Sequence, residues 1–391
     1  MKLVITNGTV LTPYREIKNS TVVVENGKIA GIHAGKVEVP GAEVIDAGGK
    51  YVAPGFIDIH IHGGGGADFM DGTVDAFLQV AETHAKYGTT SMVPTTLTAE
   101  KEDLLNTLDV YKKAKDVNKK GAAFLGIHLE GPYFALSQRG AQDPRYIRNP
   151  NPAEYEEILA YSDDIVRWSA APELEGAIEF GRKLRERGIL AAVAHTDAKY
   201  EHVVEAWDNG YTLATHLYSA MSGVTREKAF RYAGTIESAF LLDMDVEIIG
   251  DGVHLPAPLL QLIYKIKGAD KTALITDAMR AAGMPEGEST LGSLKNGLKV
   301  IVEDGVAKLP DRNSFAGSVA TFDRLVRNII TLGGVNLSEA VRMASTTPAR
   351  IMGVLDKKGT IQVGKDADIV VFDQQINIQN TIVGGNLVYT S

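Results

Sequence analysis

Eight short apolar runs alternate with longer amphipathic stretches between about residues 53 and 354, and this alternation constrains the fold more than any other feature. The runs are "GFIDIHIH", "TTSMVPTTLT", "AAFLGIHLEGPY", "IVRWSAAPE", "GILAAVAHTDA", "TLATHLYSAM", "DVEIIGDGVHL" and "KTALITDAM". Short apolar runs bounded by turn residues suit strands buried on both faces. Between them, "VDAFLQVAETHAKYG", "KEDLLNTLDVYKKAKDV", "EGAIEFGRKLRERG", "YEHVVEAWDNG" and "APLLQLIYKIKG" repeat apolar residues every three or four positions and often close on Gly, as helices with one buried stripe do. The alternation predicts a (β/α)8 TIM-like barrel. An open doubly wound sheet would alternate in the same way, so the choice between them rests on the functional residues.

Outside this range the pattern is that of short strands and turns. "KLVITNGTVL", "STVVVENGKIAGIHAG" and "AEVIDAGGKYV" precede the barrel, and "GTIQVGKDADIVVFD" and "NTIVGGNLVY" follow it. Asn26-Gly27 between apolar runs predicts a hairpin, because a type I′ turn needs positive φ at both central residues. Residues 1–52 and 355–391 are therefore expected to join in one small β-sandwich domain. A second hairpin is expected at Asp304-Gly305, after the eighth run.

With 391 residues, 45% of them hydrophobic, the chain can form one large and one small core. A net charge of −9 disfavours nucleic acid or an anionic membrane surface as partner, so any anionic ligand must be met by local cations. The chain has no cysteine, which leaves His, Asp and Glu as metal ligands. "MKLVITNGTV" breaks its apolar run too early for a signal-peptide core, and no run approaches a membrane span. A cytoplasmic protein is expected.

In such a barrel the chemistry sits at the C-terminal ends of the strands. Here those ends carry ionisable groups: His60 and His62 on the first run, Glu130 on the third, His195 on the fifth, His216 on the sixth, His254 on the seventh and Asp277 on the eighth. His60 and His62 share one strand face, where two imidazoles can bind one cation. The "GGGG" that follows lets the loop turn and permits close backbone approach; without a Lys-Ser/Thr it does not complete a P-loop. His33, His84 and His202 are read as ordinary polar residues, and His128 as a supporting or packing residue near Glu130.

"PGFIDIHIHG", "HLEGPYF", "AHTDA", "THLYSAM", "DGVHL", "LITDAM" and "FAGS" together resemble the N-acetylglucosamine-6-phosphate deacetylase family of the amidohydrolase superfamily, in that family's order. The resemblance implies hydrolytic deacetylation of an amino sugar 6-phosphate and a divalent metal, zinc foremost and iron an alternative, with one or two ions per subunit. It makes Glu130, His195 and His216 the core ligands. His60 and His62 would build a second position bridged by Glu130. Asp277 would touch the metal and carry the proton, and His254 would hold the acetyl carbonyl. It places Ala141, Ser219, Ala220, Phe315, Ala316 and Gly317 around the sugar. Arg226 would grip the phosphate, in a homodimer where it can serve the neighbouring subunit.

Two positions depart from that pattern. Ser219 stands where the family commonly has Asn, and Gln142 where it often has His. Both changes are expected to affect substrate recognition and to leave the metal and the base untouched. The galactosamine epimer, another amide, or a non-catalytic scaffold remain as competing readings, and metal-dependent acetate release separates them.

Overall fold

The computed structural model describes residues 2–391. All eight apolar runs form strands: Phe56–Ile61, Thr89–Pro94, Ala123–Phe124 with Ile127–Glu130, Ile165–Ala170, Leu190–Val193, Tyr211–Ala214, Asp245–Ile249 and Thr272–Ile275. Parallel ladders join neighbours in sequence order. Thr95 bridges to His128 between the second and third strands. The Asp277 N–H donates to the His60 carbonyl at 2.9 Å and the His62 N–H to the Ala278 carbonyl at 2.9 Å, which joins the eighth strand to the first. The sheet is thus closed into a barrel, and the doubly wound alternative is excluded.

A helix follows every strand: Val74–Ala85, Lys101–Val117, Pro152–Tyr161, Ala177–Glu186, Tyr200–Asp208, Thr235–Leu241, Ala257–Lys271 and Phe322–Thr331. The last buries Phe322, Leu325, Val326 and Ile329 along one stripe. Burial of each such side chain contributes about 1.5–3 kcal/mol. That helix falls in "VATFDRLVRNIITLGG", which also reads as a helix from sequence, whereas two of the eight fall in no segment so read. Thr235–Leu241 spans only 7 residues, too few for a periodic signal. Pro152–Tyr161 did carry one: Asn151 caps the Ala153 N–H at 2.9 Å and Pro152 sits in the first turn.

The barrel interior is packed with polar groups. Ile57, Ile59 and Ile61 of the first strand face other apolar side chains, whereas Asp58 and His60 alternate with them. Arg167, wholly buried on the fourth strand, reaches across to pair with both carboxylate oxygens of Glu247 on the seventh. It also donates to the Ile59 carbonyl at 3.0 Å and to Thr215 Oγ1 at 2.9 Å. Burial pushes the Asp58 carboxyl up to about 7, against the hydrogen bonds from Thr276, whose hydroxyl donates to Oδ2 at 2.5 Å.

Both chain ends contribute to one eight-stranded sheet made of Lys2–Leu11, Glu16–Glu25, Lys28–Ala34, Glu43–Asp46, Tyr51–Pro54, Ile369–Phe372, Ile378–Val383 and Asn386–Thr390. It encloses its own core, which includes Leu3, Ile5, Val22, Val24, Ile369 and Ile382. Val370, Phe372 and Ile378 pack instead on the barrel beside Phe56 and Phe322. The Asn26-Gly27 turn has φ of 50° and 76°, as its sequence requires. The Asp304-Gly305 hairpin, between Leu298–Glu303 and Val306–Lys308, forms as well and leads to residues 314–317 at the barrel mouth.

Candidate metal centre

Barrel closure brings the strand-end residues together around Glu130. Its Oε1 lies 3.1 Å from His216 Nε2, 3.3 Å from His195 Nε2 and 3.4 Å from His60 Nε2; its Oε2 lies 3.4 Å from His62 Nε2. His60 and His62 face each other with their Nε2 atoms 3.3 Å apart. Asp277 Oδ1 is 3.1 Å from His62 Nε2 and 3.5 Å from His60 Nε2. Two groups of donors share Glu130: His60 with His62, and His195 with His216.

Neighbouring carbonyls set two of the rings. His195 Nδ1 meets the Gln138 carbonyl at 2.8 Å and His62 Nδ1 meets the Thr95 carbonyl at 3.2 Å. A carbonyl only accepts, so the proton sits on Nδ1 and the Nε2 lone pair faces the cluster, as a metal ligand requires. Three residues just past strand ends hold positive φ: His195 at 46°, His216 at 31° and Asp277 at 47°. Such backbone strain in non-glycine residues concentrates at functional sites.

The cluster's electrostatics favour a cation. Burial opposes ionisation of Glu130, yet His60 and the adjoining His195 and His216 rings hold its carboxyl well below the usual range. Asp277 is lowered in the same way, against its burial, by His62 and His60. Burial likewise opposes charge on His60, but Glu130, Glu247 and Asp277 raise it to about 10. Two ionised carboxylates therefore draw positive charge into a pocket of imidazole nitrogens. This is a donor set that fits a divalent ion such as zinc or iron.

The centre opens into a cavity of about 320 Å³, lined also by Gly140, Ala141, Gln142, Ser219, Ala220, His254, Phe315 and Gly317. That size suits a small ligand. Gly317 has φ 67°, and a Cβ there would meet the Asp277 carbonyl at 2.9 Å, so the close approach requires glycine. His254 lies in the turn after the seventh strand, its Nδ1 2.7 Å from Asp251 Oδ2. Asp251 was not singled out in the sequence, although Asp-Gly-x-His three residues apart was a readable turn signal.

Three of the candidate residues sit differently from the rest. The Ala316 side chain is wholly buried in a separate apolar cluster with Met279 and Val300, whereas its neighbours Phe315 and Gly317 line the cavity. Arg226 is exposed on the hairpin Thr225–Glu227/Phe230–Tyr232 and is not among the cavity-lining residues. Gln142 was expected to leave the metal site untouched, yet its Nε2 donates to Glu130 Oε2 at 2.8 Å. His128 packs edge-on against the His60 ring with centroids 4.8 Å apart, its Nε2 2.7 Å from Ser169 Oγ and its Nδ1 3.2 Å from Thr95 Oγ1.

The glycine run works through close packing. A Cβ on Gly63 would lie 2.4 Å from the Ala67 carbonyl and 2.8 Å from the Arg280 nitrogen, both backbone atoms that cannot turn aside. His84 Nε2 sits 3.0 Å from the Gly63 carbonyl, and burial lowers the ring to about 4, so it stays neutral and structural. His33 and His202 are exposed and lie outside the cavity. Gly63→Ala is expected to destabilise the chain by about 1–3 kcal/mol through overpacking. A urea midpoint equal to that of the parent protein would contradict this.

The model of the amidohydrolase family matches residues 51–388. An N-acetylglucosamine-6-phosphate deacetylase from Lysinibacillus sphaericus is 33% identical over 99% of this chain and 98% of its own length. An N-acetylgalactosamine-6-phosphate deacetylase from Escherichia coli O157:H7 is 34% identical over 91% of this chain and 92% of its own. The crystal structure of N-acetylglucosamine-6-phosphate deacetylase from Pasteurella multocida superposes with a TM-score of 0.93 at 29% identity, covering 100% of both chains. With its closed barrel, its strand-end donors and a family match that spans the barrel and the C-terminal strands of the terminal sheet, this chain belongs to the amidohydrolase family.

Proposed function

We propose that the chain hydrolyses the acetamide of N-acetylglucosamine 6-phosphate, releasing acetate and glucosamine 6-phosphate. The observation that carries this is the Glu130-centred donor cluster with the Asp277 carboxylate beside it, at the base of a cavity sized for a sugar phosphate. Zinc is the proposed ion, held by Glu130, His195 and His216, with a second position at His60, His62 and Glu130. A cation there supplies Lewis acidity towards the acetyl carbonyl and makes water a competent nucleophile near neutral pH.

The protein's own residues do the rest. Asp277, kept ionised, takes a proton from the attacking water on its carboxylate and returns it to the departing amine nitrogen. His254, its Nδ1 held by Asp251, presents its Nε2 edge to the acetyl carbonyl and positions that group for attack. Ala141, Ser219, Ala220, Phe315 and Gly317 shape the sugar pocket.

Among the described residues the cavity lining includes no lysine or arginine, while the chain as a whole carries −9. The phosphate therefore needs a cation from elsewhere, and Arg226 on its exposed hairpin supplies it to the neighbouring subunit of a homodimer. Arg226→Ala is expected to raise KM about tenfold or more, since a charge-assisted hydrogen bond is worth about 1.5–3 kcal/mol. Its kcat should stay near the parent value. An unchanged KM would move the phosphate site away from this hairpin.

The deciding assay is acetate release by the zinc-loaded protein from N-acetylglucosamine 6-phosphate, its 4-epimer and the unphosphorylated sugar. Metal-dependent turnover of the first substrate alone is expected. Preference for the 4-epimer would assign the galactosamine reaction. Silence on all three with zinc bound would transfer the activity to another amide.

A further inference from the structure

Gln142 is not itself a candidate ligand, yet it is one of the most constrained side chains at the centre. It is 5% exposed, and both ends of its amide are engaged. Nε2 donates to Glu130 Oε2 at 2.8 Å, and Oε1 accepts from the Thr98 backbone N–H at 2.9 Å. The flipped amide would set oxygen against carboxylate and NH₂ against N–H, so only one orientation satisfies both partners. The side chain therefore clamps Glu130 to the loop that follows the second barrel strand.

The clamp acts on one oxygen only. Glu130 Oε1 faces His195, His216 and His60 at 3.3, 3.1 and 3.4 Å, while Oε2 faces His62 at 3.4 Å and the Gln142 amide. We propose that Gln142 is a positioning residue of the metal centre. It fixes the rotation of the Glu130 carboxylate, holding Oε1 towards His195 and His216 and Oε2 towards His62, the residues that would hold the ions. Without it the carboxylate is free to turn about its terminal bond, and the bridging geometry must be ordered at the moment an ion binds. This inference rests on the metal-centre reading above and is independent of the substrate.

The test is zinc binding, measured by competition with a chromophoric chelator and by metal content after dialysis. Gln142→Met keeps the volume and removes the donor. Its zinc dissociation constant is expected to rise about tenfold to a hundredfold, the usual cost of losing an orienting partner. Gln142→Asn retains an amide one methylene shorter, unable to reach Glu130 and Thr98 together, and carries the same expectation should the Met variant not fold. A folded variant that binds zinc with the parent constant and stoichiometry overturns the proposal. Failure of the parent protein to release acetate would instead strike the proposed reaction and leave these zinc constants meaningful.

Discussion

Asp277→Asn is expected to lower kcat/KM for the proposed reaction by about 10²–10⁴, the usual contribution of a positioned general acid–base. The substitution keeps the side chain's shape and an oxygen near His62, but removes the group that can accept and return a proton. Glu130, His195 and His216 remain, so the variant should still bind zinc at their position. It should also fold, because the Asp277 backbone bonds to His60 and Ser318 do not involve the side chain. Metal content and acetate release measured on the same preparation separate the two roles. A variant that retains zinc and more than about a tenth of the parent turnover would remove Asp277 from the proton path.

The second large effect concerns stability. Arg167→Met should destabilise the protein by about 3–5 kcal/mol, because it leaves Glu247 charged, wholly buried and without its partner. Hydrogen bonds to Ile59 and Thr215 are lost at the same time, and these link the fourth strand to the first and sixth. Glu247 Oε2 also lies 3.7 Å from His60 Nδ1, so the defect reaches a candidate ligand. Replacing Glu247 by Met as well should recover most of the loss, since an apolar pair of similar volume removes the unpaired charge. Urea unfolding of the single and double variants decides this. A single variant within about 1 kcal/mol of the parent would mean that the pair contributes little.

Much of this architecture was legible before any coordinates. The eight runs became the eight barrel strands because short apolar segments bounded by turns have few ways to be buried. His60 and His62 fell on one strand face because side chains alternate with a period of two, a rule that needs no tertiary information. In an irregular loop no such period sets which way a side chain faces. Ala316, between Phe315 and Gly317, turned out to face the other way, into the cluster of Met279 and Val300.

Groups that act through another residue were harder to see. The Asp-Gly-x-His spacing marks a turn at Asp251, but nothing in the type or spacing of Gln142, a polar residue in a loop, says that it would meet Glu130 Oε2. Arg167 and Glu247 sit in strand segments that read as packed interior, and their pairing joins residues on opposite sides of the barrel.

By itself, the sequence determined the strand and helix order, the types of donor at the strand ends and the hairpins at Asn26-Gly27 and Asp304-Gly305. These follow from periodicity and turn chemistry, which are local. The tertiary structure alone decided that residues as far apart as His60, Glu130, His216 and Asp277 converge within 3.5 Å of a neighbour, and that Gln142 turns the Glu130 carboxylate. The physical reason is barrel closure. Closing the ring at Asp277 and His60 selects which side chains meet, and no local pattern encodes a contact that exists only after the ring has closed.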